Sequence, residues 1–184
     1  MPSRVLVLSA VALASAASTS LAQTGQSETG RQFGIGLGLG AASMSVGDDR
    51  NWDFGASILG RFGLDSRNRF LVIVEFNPLG VGNPVADESF TALNLLLGFS
   101  IGKRFKVRPS LGWQFRSWSG SQQVEGSDSG LLLGMDVGPE FRVNARLSLS
   151  PEAVFRLSHI ESEGNVSGGF VGVQIVASWR GAGR

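Results

Sequence analysis

Residues 105–118 read FKVRPSLGWQFRSW and decide the fold. Apolar residues recur at every second position, from Phe105 through Leu111 to Phe115, and charged or small residues fill the positions between them. A β-strand places alternate side chains on opposite faces, whereas a helix would mix the two sets. We therefore predict a strand with one apolar and one charged face. Water around the protein would turn the apolar face inward, and lipid would turn it outward.

The same alternation marks seven further segments, residues 32–43, 52–62, 69–77, 89–102, 130–143, 146–158 and 169–179. Their connections are long near residues 45, 83, 123 and 163 and short near residues 65, 103 and 144. An up-and-down barrel with long loops at one rim and short turns at the other produces this spacing. The predicted fold is all-β, an eight-stranded antiparallel up-and-down transmembrane β-barrel.

Three prolines fall inside predicted strands, Pro109, Pro139 and Pro151. Proline cannot donate a ladder hydrogen bond and is found at strand edges and bulges. These residues are therefore predicted to mark bulges near the rim with the short turns.

The N-terminus has the pattern of a signal peptide. Arg4 precedes the apolar run VLVLSAVALASAAS, and the small residues of STSLAQ then permit cleavage after Ala22. The run is too short for an ordinary spanning helix, so an N-terminal anchor helix is the less favoured alternative. The predicted organisation is a signal peptide at 1–22, a flexible lead-in at 23–32, the barrel at 33–180 and a short tail at 181–184.

Composition excludes several classes. The 184 residues include 26 glycines and no cysteine, which excludes a disulfide scaffold and a thiolate metal site. A net charge of +1 argues against nucleic acid as a partner. The GxGxxA match at Gly36, Gly38 and Ala41 lacks the helix that a dinucleotide loop requires, and the acidic loops lack EF-hand spacing. No cofactor, metal site or catalytic residue is predicted.

The cost of burying charge and the width of the interior decide which face is outside. An eight-stranded barrel is just wide enough to fill with side chains, so the large apolar set cannot all point inward. The other set consists of small residues and balanced charges, which can pair across a narrow lumen. The predicted lumen charge network comprises Asp53, Arg61, Glu75, Lys106, Arg108, Arg116, Asp136, Glu140, Arg142, Glu152 and Arg156. The predicted lipid-facing aromatic girdle comprises Phe62, Phe70, Phe105, Trp113, Phe115, Phe141, Phe155 and Trp179.

Two sharper expectations follow from this orientation. Arg108 and Glu140 are predicted to pair near the short turns, and removal of Glu140 is expected to destabilise the ionic core. A charge at outward Leu111 is expected to disrupt membrane assembly far more than a charge at inward Gly112.

The signal peptide, the eight alternating strands and the final VGVQIVASW resemble the small bacterial outer-membrane barrels of the OmpA and OmpX type. That resemblance implies a porin-like monomer in the cell envelope, in the outer membrane of a Gram-negative-type bacterium. Its implied partners are outer-membrane lipids, lipopolysaccharide and the barrel assembly machinery. In that family the last strand ends the chain on an aromatic residue. Here Trp179 holds that position, and RGAGR follows it.

The resemblance implies a structural or surface-interaction role, with at most a very narrow pore. One alternative is a lipid A-modifying enzyme, because the lipid A deacylases carry a catalytic histidine on the penultimate strand and a serine two residues later. His159 matches that histidine, but Glu161 stands where the serine would be. The other alternative is a soluble lipocalin-like binding barrel.

Overall fold

The computed structural model describes residues 30–46, 49–79, 89–119, 125–160 and 166–181. Side chains within these ranges are described except at 44–46, 49–53, 78–79, 89–90, 118–119, 125–126, 160 and 166–167. The predicted signal peptide and most of the predicted lead-in and tail lie outside the described residues. No helix long and apolar enough to cross a membrane occurs within the described ranges.

Within the described ranges, nine strands form one antiparallel sheet. They are β1 (Gln32–Val46), β2 (Asp49–Gly63), β3 (Phe70–Leu79), β4 (Ser89–Phe99), β5 (Phe105–Ser119), β6 (Glu125–Pro139), β7 (Phe141–Arg142), β8 (Leu147–Ile160) and β9 (Val166–Arg180). Strands that follow each other in sequence pair, except β6 and β7; β6 instead pairs with β8, and β1 also pairs with β9. These pairings close the sheet into an up-and-down barrel, as predicted. The two-residue β7 pairs with β8 in the same register as β6. β6 and β7 therefore count as one strand of an eight-stranded barrel.

The prolines interrupt the ladders without forming bulges. Val137 pairs with Ala153, and Phe141 pairs with Leu149 in the same register, so no extra residue lies between these pairs. Pro139 and Pro151 stand opposite each other in this gap, and neither has an N–H to donate. At Pro109 the ladder with β4 likewise stops, and it resumes in the same register at Ile101 and Val107. The predicted bulges are therefore wrong.

The barrel has two rims. The turn rim comprises residues 30–31, 64–69, 100–104, 140–146 and 180–181, and the loop rim lies at the opposite strand ends. The predicted contrast between long and short connections is wrong at three loops, and one of them, residues 161–165, is no longer than the turn at 100–104. Residues 125–129 continue the pairing of β5 with β6, and only residues 47–48 separate β1 from β2. These segments are polar, and polar sequence between apolar strands indicates a loop. Here the strands continue past the apolar surface of the barrel, where their backbones stay paired and their side chains become hydrophilic.

The register tilts the strands around the barrel. The pairing passes once round from Phe33 and returns to β1 at Ser43, ten residues further along, through Phe62, Val72, Leu97, Leu111, Leu133, Leu157 and Gly169. Such a stagger requires strands inclined to the barrel axis. The tilt brings inward side chains of strands that are not neighbours to the same height along the barrel axis.

Burial alternates along every long strand. In β5, Arg108, Ser110 and Gln114 are buried, whereas Leu111 and Trp113 are exposed. The apolar face therefore points outward and the polar face inward, as predicted for a barrel in lipid. Two apolar clusters also occupy the interior, one of Leu71, Ile73, Leu96 and Leu132, and one of Ala42, Val154 and Phe170.

Glycine makes room for these inward side chains. Gly40 of β1 and Gly172 of β9 stand opposite each other, and the ring of Phe170 lies against both. A Cβ on Gly40 would lie 2.8 Å from that ring and 2.6 Å from the Gly172 Cα. The bare inner face of β1 is thus required by the side chains that fill the lumen.

Candidate functional site: the charged network of the lumen

Three arginines and three carboxylates lie buried inside the barrel and form one connected network. In order of contact its members are Glu75, Arg156, Asp136, Arg61, Glu152 and Arg108. Each has a relative accessibility of 5% or less. The inner face of the alternating strands delivers these residues from β2, β3, β5, β6 and β8, so most contacts cross the lumen.

Glu152 is the most connected carboxylate of this network. Arg61 donates to both its oxygens, with Nη1–Oε1 at 3.0 Å and Nη2–Oε2 at 2.7 Å. Arg108 Nη1 donates to Oε1 at 2.7 Å, and Gln174 Nε2 donates to Oε2 at 2.8 Å. Two-point arginine–carboxylate pairs are among the strongest protein hydrogen bonds. Glu152 therefore holds together side chains from β2, β5 and β9.

Asp136 joins two arginines. Arg61 Nη2 lies 3.0 Å from Asp136 Oδ2, and Arg156 Nη1 donates to Asp136 Oδ1. Arg156 Nε also donates to Glu75 Oε2 at 2.8 Å. The network thus extends from Glu152 to Glu75 with alternating charge.

Amide side chains extend the network toward the loop rim. Asn94 Nδ2 donates to Glu75 Oε2 at 3.3 Å, and Gln114 Nε2 donates to Asn94 Oδ1 at 2.9 Å. At the turn rim, Arg108 Nη2 lies 3.4 Å from Glu140 Oε2, and Arg180 Nη2 lies 4.0 Å from Glu140 Oε1. Charge therefore alternates from Glu75 to Arg180. The neutral amides continue the hydrogen bonds from Glu75 toward the loop rim.

The balance of opposite charges lowers the free-energy cost of this charged interior. Burying an isolated charge costs several kcal/mol, and close opposite charges with further hydrogen bonds offset that cost. Three positive and three negative buried groups balance each other here, although Arg61 Nε, Glu75 Oε1 and Arg156 Nη2 have no hydrogen-bond partner among the described residues. Removing one member would leave its partners charged, with one opposite charge fewer, in a poorly hydrated interior.

Four further predicted members of the network are Arg116, Lys106, Arg142 and Asp53. Arg116 is buried on β5 and stands opposite Asp128 in the register. Lys106 Nζ donates to the Gly102 carbonyl, at the turn rim. Arg142 is half-buried in β7, opposite Ser148. Asp53 lies in β2, opposite Ala42, and its side chain is outside the described residues.

Sequence reasoning did not assign Asn94, Gln114, Gln174 or Arg180 to the network. The inward parity of the first three was visible in the sequence, but neutral amides gave no charge signal. Arg180 follows the last predicted outward residue, Trp179, and its parity would have placed it inward.

The outer surface carries the predicted aromatic residues. All eight are exposed. Phe62, Phe70, Phe105, Phe141 and Trp179 lie at or beside the turn rim, whereas Trp113, Phe115 and Phe155 lie further along their strands. Phe33 and Phe99 join the first group, with ring centroids 4.9 Å apart for Phe33 and Phe62 and 5.2 Å apart for Phe70 and Phe99. We call these seven residues the aromatic belt.

An apolar exterior, a closed antiparallel sheet and a charged interior define a membrane-spanning β-barrel with a filled lumen. Residues 6–180 match the family model described as outer membrane protein beta-barrel domain, so the chain belongs to this family and is an outer-membrane protein. No curated protein sequence matches the chain.

Two solved structures show the same fold. Neisserial surface protein A is 14% identical, with a TM-score of 0.61, over 78% of this chain and 95% of the other. Ail, the attachment invasion locus protein of Yersinia pestis, is 20% identical, with a TM-score of 0.55, over 83% of this chain and 99% of the other. Ail is also known in complex with the heparin analogue sucrose octasulfate.

Proposed function

We propose that this protein is a sealed barrel that acts through its surface, in a structural or surface-interaction role, and that it neither catalyses a reaction nor conducts ions through an open pore. The observation that carries the proposal is the network from Glu75 to Arg108, whose side chains bond across the lumen. An eight-stranded interior has no width left once such side chains meet.

The loop rim supports a surface role. β5 and β6 remain paired as far as Ser119 and Glu125, while the outward residues Ser117, Ser127 and Ser129 are polar. These strands therefore extend past the apolar band and carry their connection away from the membrane. Ail, which has the same fold, is named for attachment and invasion, and that name is the closest support for an adhesive role here.

The predicted partners and boundaries belong to the same proposal. We infer contact with lipopolysaccharide at the loop rim, insertion by the barrel assembly machinery and a monomeric state. Cleavage after Ala22 would release a mature chain whose barrel spans residues 33–180. N-terminal sequencing of the protein from outer membranes tests the cleavage site.

Conductance in planar lipid bilayers tests the sealed lumen. The wild-type barrel is expected to give no regular single-channel steps in 1 M KCl. Glu152→Ala, which removes the carboxylate that joins Arg61 and Arg108, is expected to increase the frequency of openings. Regular wild-type steps would contradict the proposal.

The enzyme alternative depends on His159. This residue is exposed on the outward parity of β8, opposite Leu131 and Ser167, and Glu161 lies outside the described residues. Nucleophilic catalysis requires an oriented acid–base partner, and no described side chain forms a hydrogen bond or an ion pair with His159. Lipid A composition in cells producing wild type or His159→Ala is expected to be identical, and a change that depends on His159 would favour the enzyme.

A further inference from the structure

The turn rim carries a ring of exposed positive charge. Six exposed cations belong to it, Arg31, Arg67, Arg69, Lys103, Arg104 and Arg146, and we call them the basic ring. The same rim contains two carboxylates, Asp65 and Glu140. Each of the three turns at this rim and the segment that precedes β1 therefore contribute positive charge.

Backbone hydrogen bonds place these cations on neighbouring parts of the barrel. Ser100 N donates to the Arg69 carbonyl at 2.7 Å, and Glu140 N donates to the Arg104 carbonyl at 2.7 Å. Arg180 N donates to the Arg146 carbonyl at 2.7 Å, and Gly181 N donates to the Arg31 carbonyl at 2.9 Å. The charges thus follow the circumference and do not belong to a single loop.

The two carboxylates do little to neutralise the ring. Asp65 accepts hydrogen bonds from the backbone N–H groups of Arg67, Arg69 and Phe70. Glu140 faces Arg108 and Arg180, which belong to the lumen network. Neither carboxylate forms a described ion pair with a cation of the basic ring.

The aromatic belt fixes the depth of the ring in the membrane. Aromatic side chains of membrane proteins concentrate at the level of the lipid headgroups. Phe70 directly follows Arg69, and Phe105 directly follows Arg104. The cations therefore lie next to the phosphates of the leaflet that surrounds this rim.

Charge is distributed oppositely at the other end of the barrel. The connections and strand ends of the loop rim contain Asp48, Asp49, Asp87, Glu88, Glu125, Asp128, Glu161 and Glu163. The basic residues there are Arg50 and Arg116, and Arg116 stands opposite Asp128. An anionic headgroup is attracted directly at the turn rim, whereas at the acidic loop rim, as for lipopolysaccharide, it would need divalent cations between its phosphates and the carboxylates. The direct attraction is therefore specific to one leaflet.

We propose that the turn rim selects anionic phospholipids from the surrounding leaflet through the basic ring. The occupant is a bilayer lipid with a net negative headgroup, because the cations circle the barrel beside the apolar belt that contacts the acyl chains. A soluble acidic partner would need a compact patch below the rim. Each basic side chain near an anionic membrane surface contributes about 1 kcal/mol, or about fivefold in relative association.

Electron spin resonance of spin-labelled lipids measures this selection. The full mature barrel is reconstituted in phosphatidylcholine with a trace of spin-labelled phosphatidylglycerol or phosphatidylcholine, and the association of the two probes is compared. Wild type is expected to prefer phosphatidylglycerol about fivefold at low salt. In 0.5 M NaCl the preference is expected to fall, since ions screen exposed charges.

Two variants localise the effect. Arg67→Gln/Arg69→Gln/Lys103→Gln/Arg104→Gln is expected to lose most of the preference, whereas Arg67→Lys/Arg69→Lys/Arg104→Lys keeps the charge and is expected to retain it. If the glutamine variant does not fold, the double variant Lys103→Gln/Arg104→Gln is measured in its place. A reduced preference for phosphatidylglycerol in that variant, and in wild type at high salt, supports the proposal. Equal association of spin-labelled phosphatidylglycerol and phosphatidylcholine with wild type overturns the proposal. That result would favour a soluble acidic partner for the basic ring. An undiminished preference in a folded glutamine variant also overturns the proposal.

Discussion

The guanidinium of Arg61 on β2 donates two hydrogen bonds to the carboxylate of Glu152 on β8, across the lumen of the barrel. Neither strand is a neighbour of the other in the sheet. The bond therefore fixes the distance between opposite walls, as a hydrophobic core does in a protein surrounded by water. The stability of the barrel should consequently depend on its buried charges.

Glu152→Gln is expected to destabilise the barrel by about 3–5 kcal/mol, because Arg61 and Arg108 would remain charged with one carboxylate fewer. Glu140→Gln removes a carboxylate at the turn rim that is 14% exposed and has longer contacts with its arginines, and it is expected to cost less than Glu152→Gln. Urea unfolding of the reconstituted proteins, followed by heat-modifiable gel mobility, measures both. Equal losses would mean that burial does not determine the cost.

That comparison tests an expectation from the sequence. Glu140 was expected to be the partner whose loss destabilises the ionic core, and it does contact Arg108 at 3.4 Å. Glu152 bonds two arginines and is 3% exposed, so it is the stronger test.

Leu111→Arg is expected to reduce the free energy of unfolding by about 2–4 kcal/mol, since Leu111 lies on the outward face within the apolar band. Ser117→Arg is the matched control, because Ser117 is also exposed on β5 but lies beyond that band. Folding yield into lipid vesicles and urea midpoints give the comparison. A loss at Ser117 as large as that at Leu111 would contradict the proposed position of the bilayer.

Gly112→Ala is expected to destabilise the barrel by about 1–3 kcal/mol, the usual cost of overpacking. A Cβ on Gly112 would lie 2.7 Å from the Leu96 Cα, and backbone cannot move aside as a side-chain tip can. Gly60→Ala is the control, because its nearest neighbour is a ring atom of Phe62 at 3.5 Å. Gly112 is therefore unsuitable as the inward counterpart of Leu111, since any side chain there clashes.

Asp65 should make the stability of the turn rim dependent on pH. Partial burial raises the pKa of its carboxyl, but backbone N–H groups of Phe70, Arg69 and Arg67 donate to it and hold the pKa below its ordinary value. A pKa that is lower in the folded state stabilises the protein above the unfolded pKa, and this contribution is lost as pH falls through the folded pKa.

The difference in unfolding free energy between wild type and Asp65→Ala is therefore expected to be constant above about pH 5 and to shrink toward pH 2. Urea unfolding across this range measures the difference, and taking it between two proteins cancels the titration of other carboxylates. A difference that grows on acidification would contradict the assigned hydrogen bonds.

The alternation in residues 105–118 was sufficient to predict which side chains face outward, because strand periodicity is local and charge has a strong preference for one face. It placed Leu111 outside and Arg108 inside, as found. The partners could not be predicted. Arg108 reaches Glu152 on a strand that is not its neighbour, because the ten-residue stagger brings β5 and β8 to one level. Such a stagger is a property of the closed sheet and leaves no mark on any single strand.

A double-mutant cycle between Arg61 and Glu152 tests most directly whether paired charges hold the lumen together. Arg61→Met, Glu152→Gln and the double variant are unfolded in urea from identical lipid vesicles. The double variant is expected to lose less stability than the two single losses combined, by about 0.5–3 kcal/mol, because each single change leaves a buried partner without its match. Additive losses would contradict a charge network as the core of this barrel.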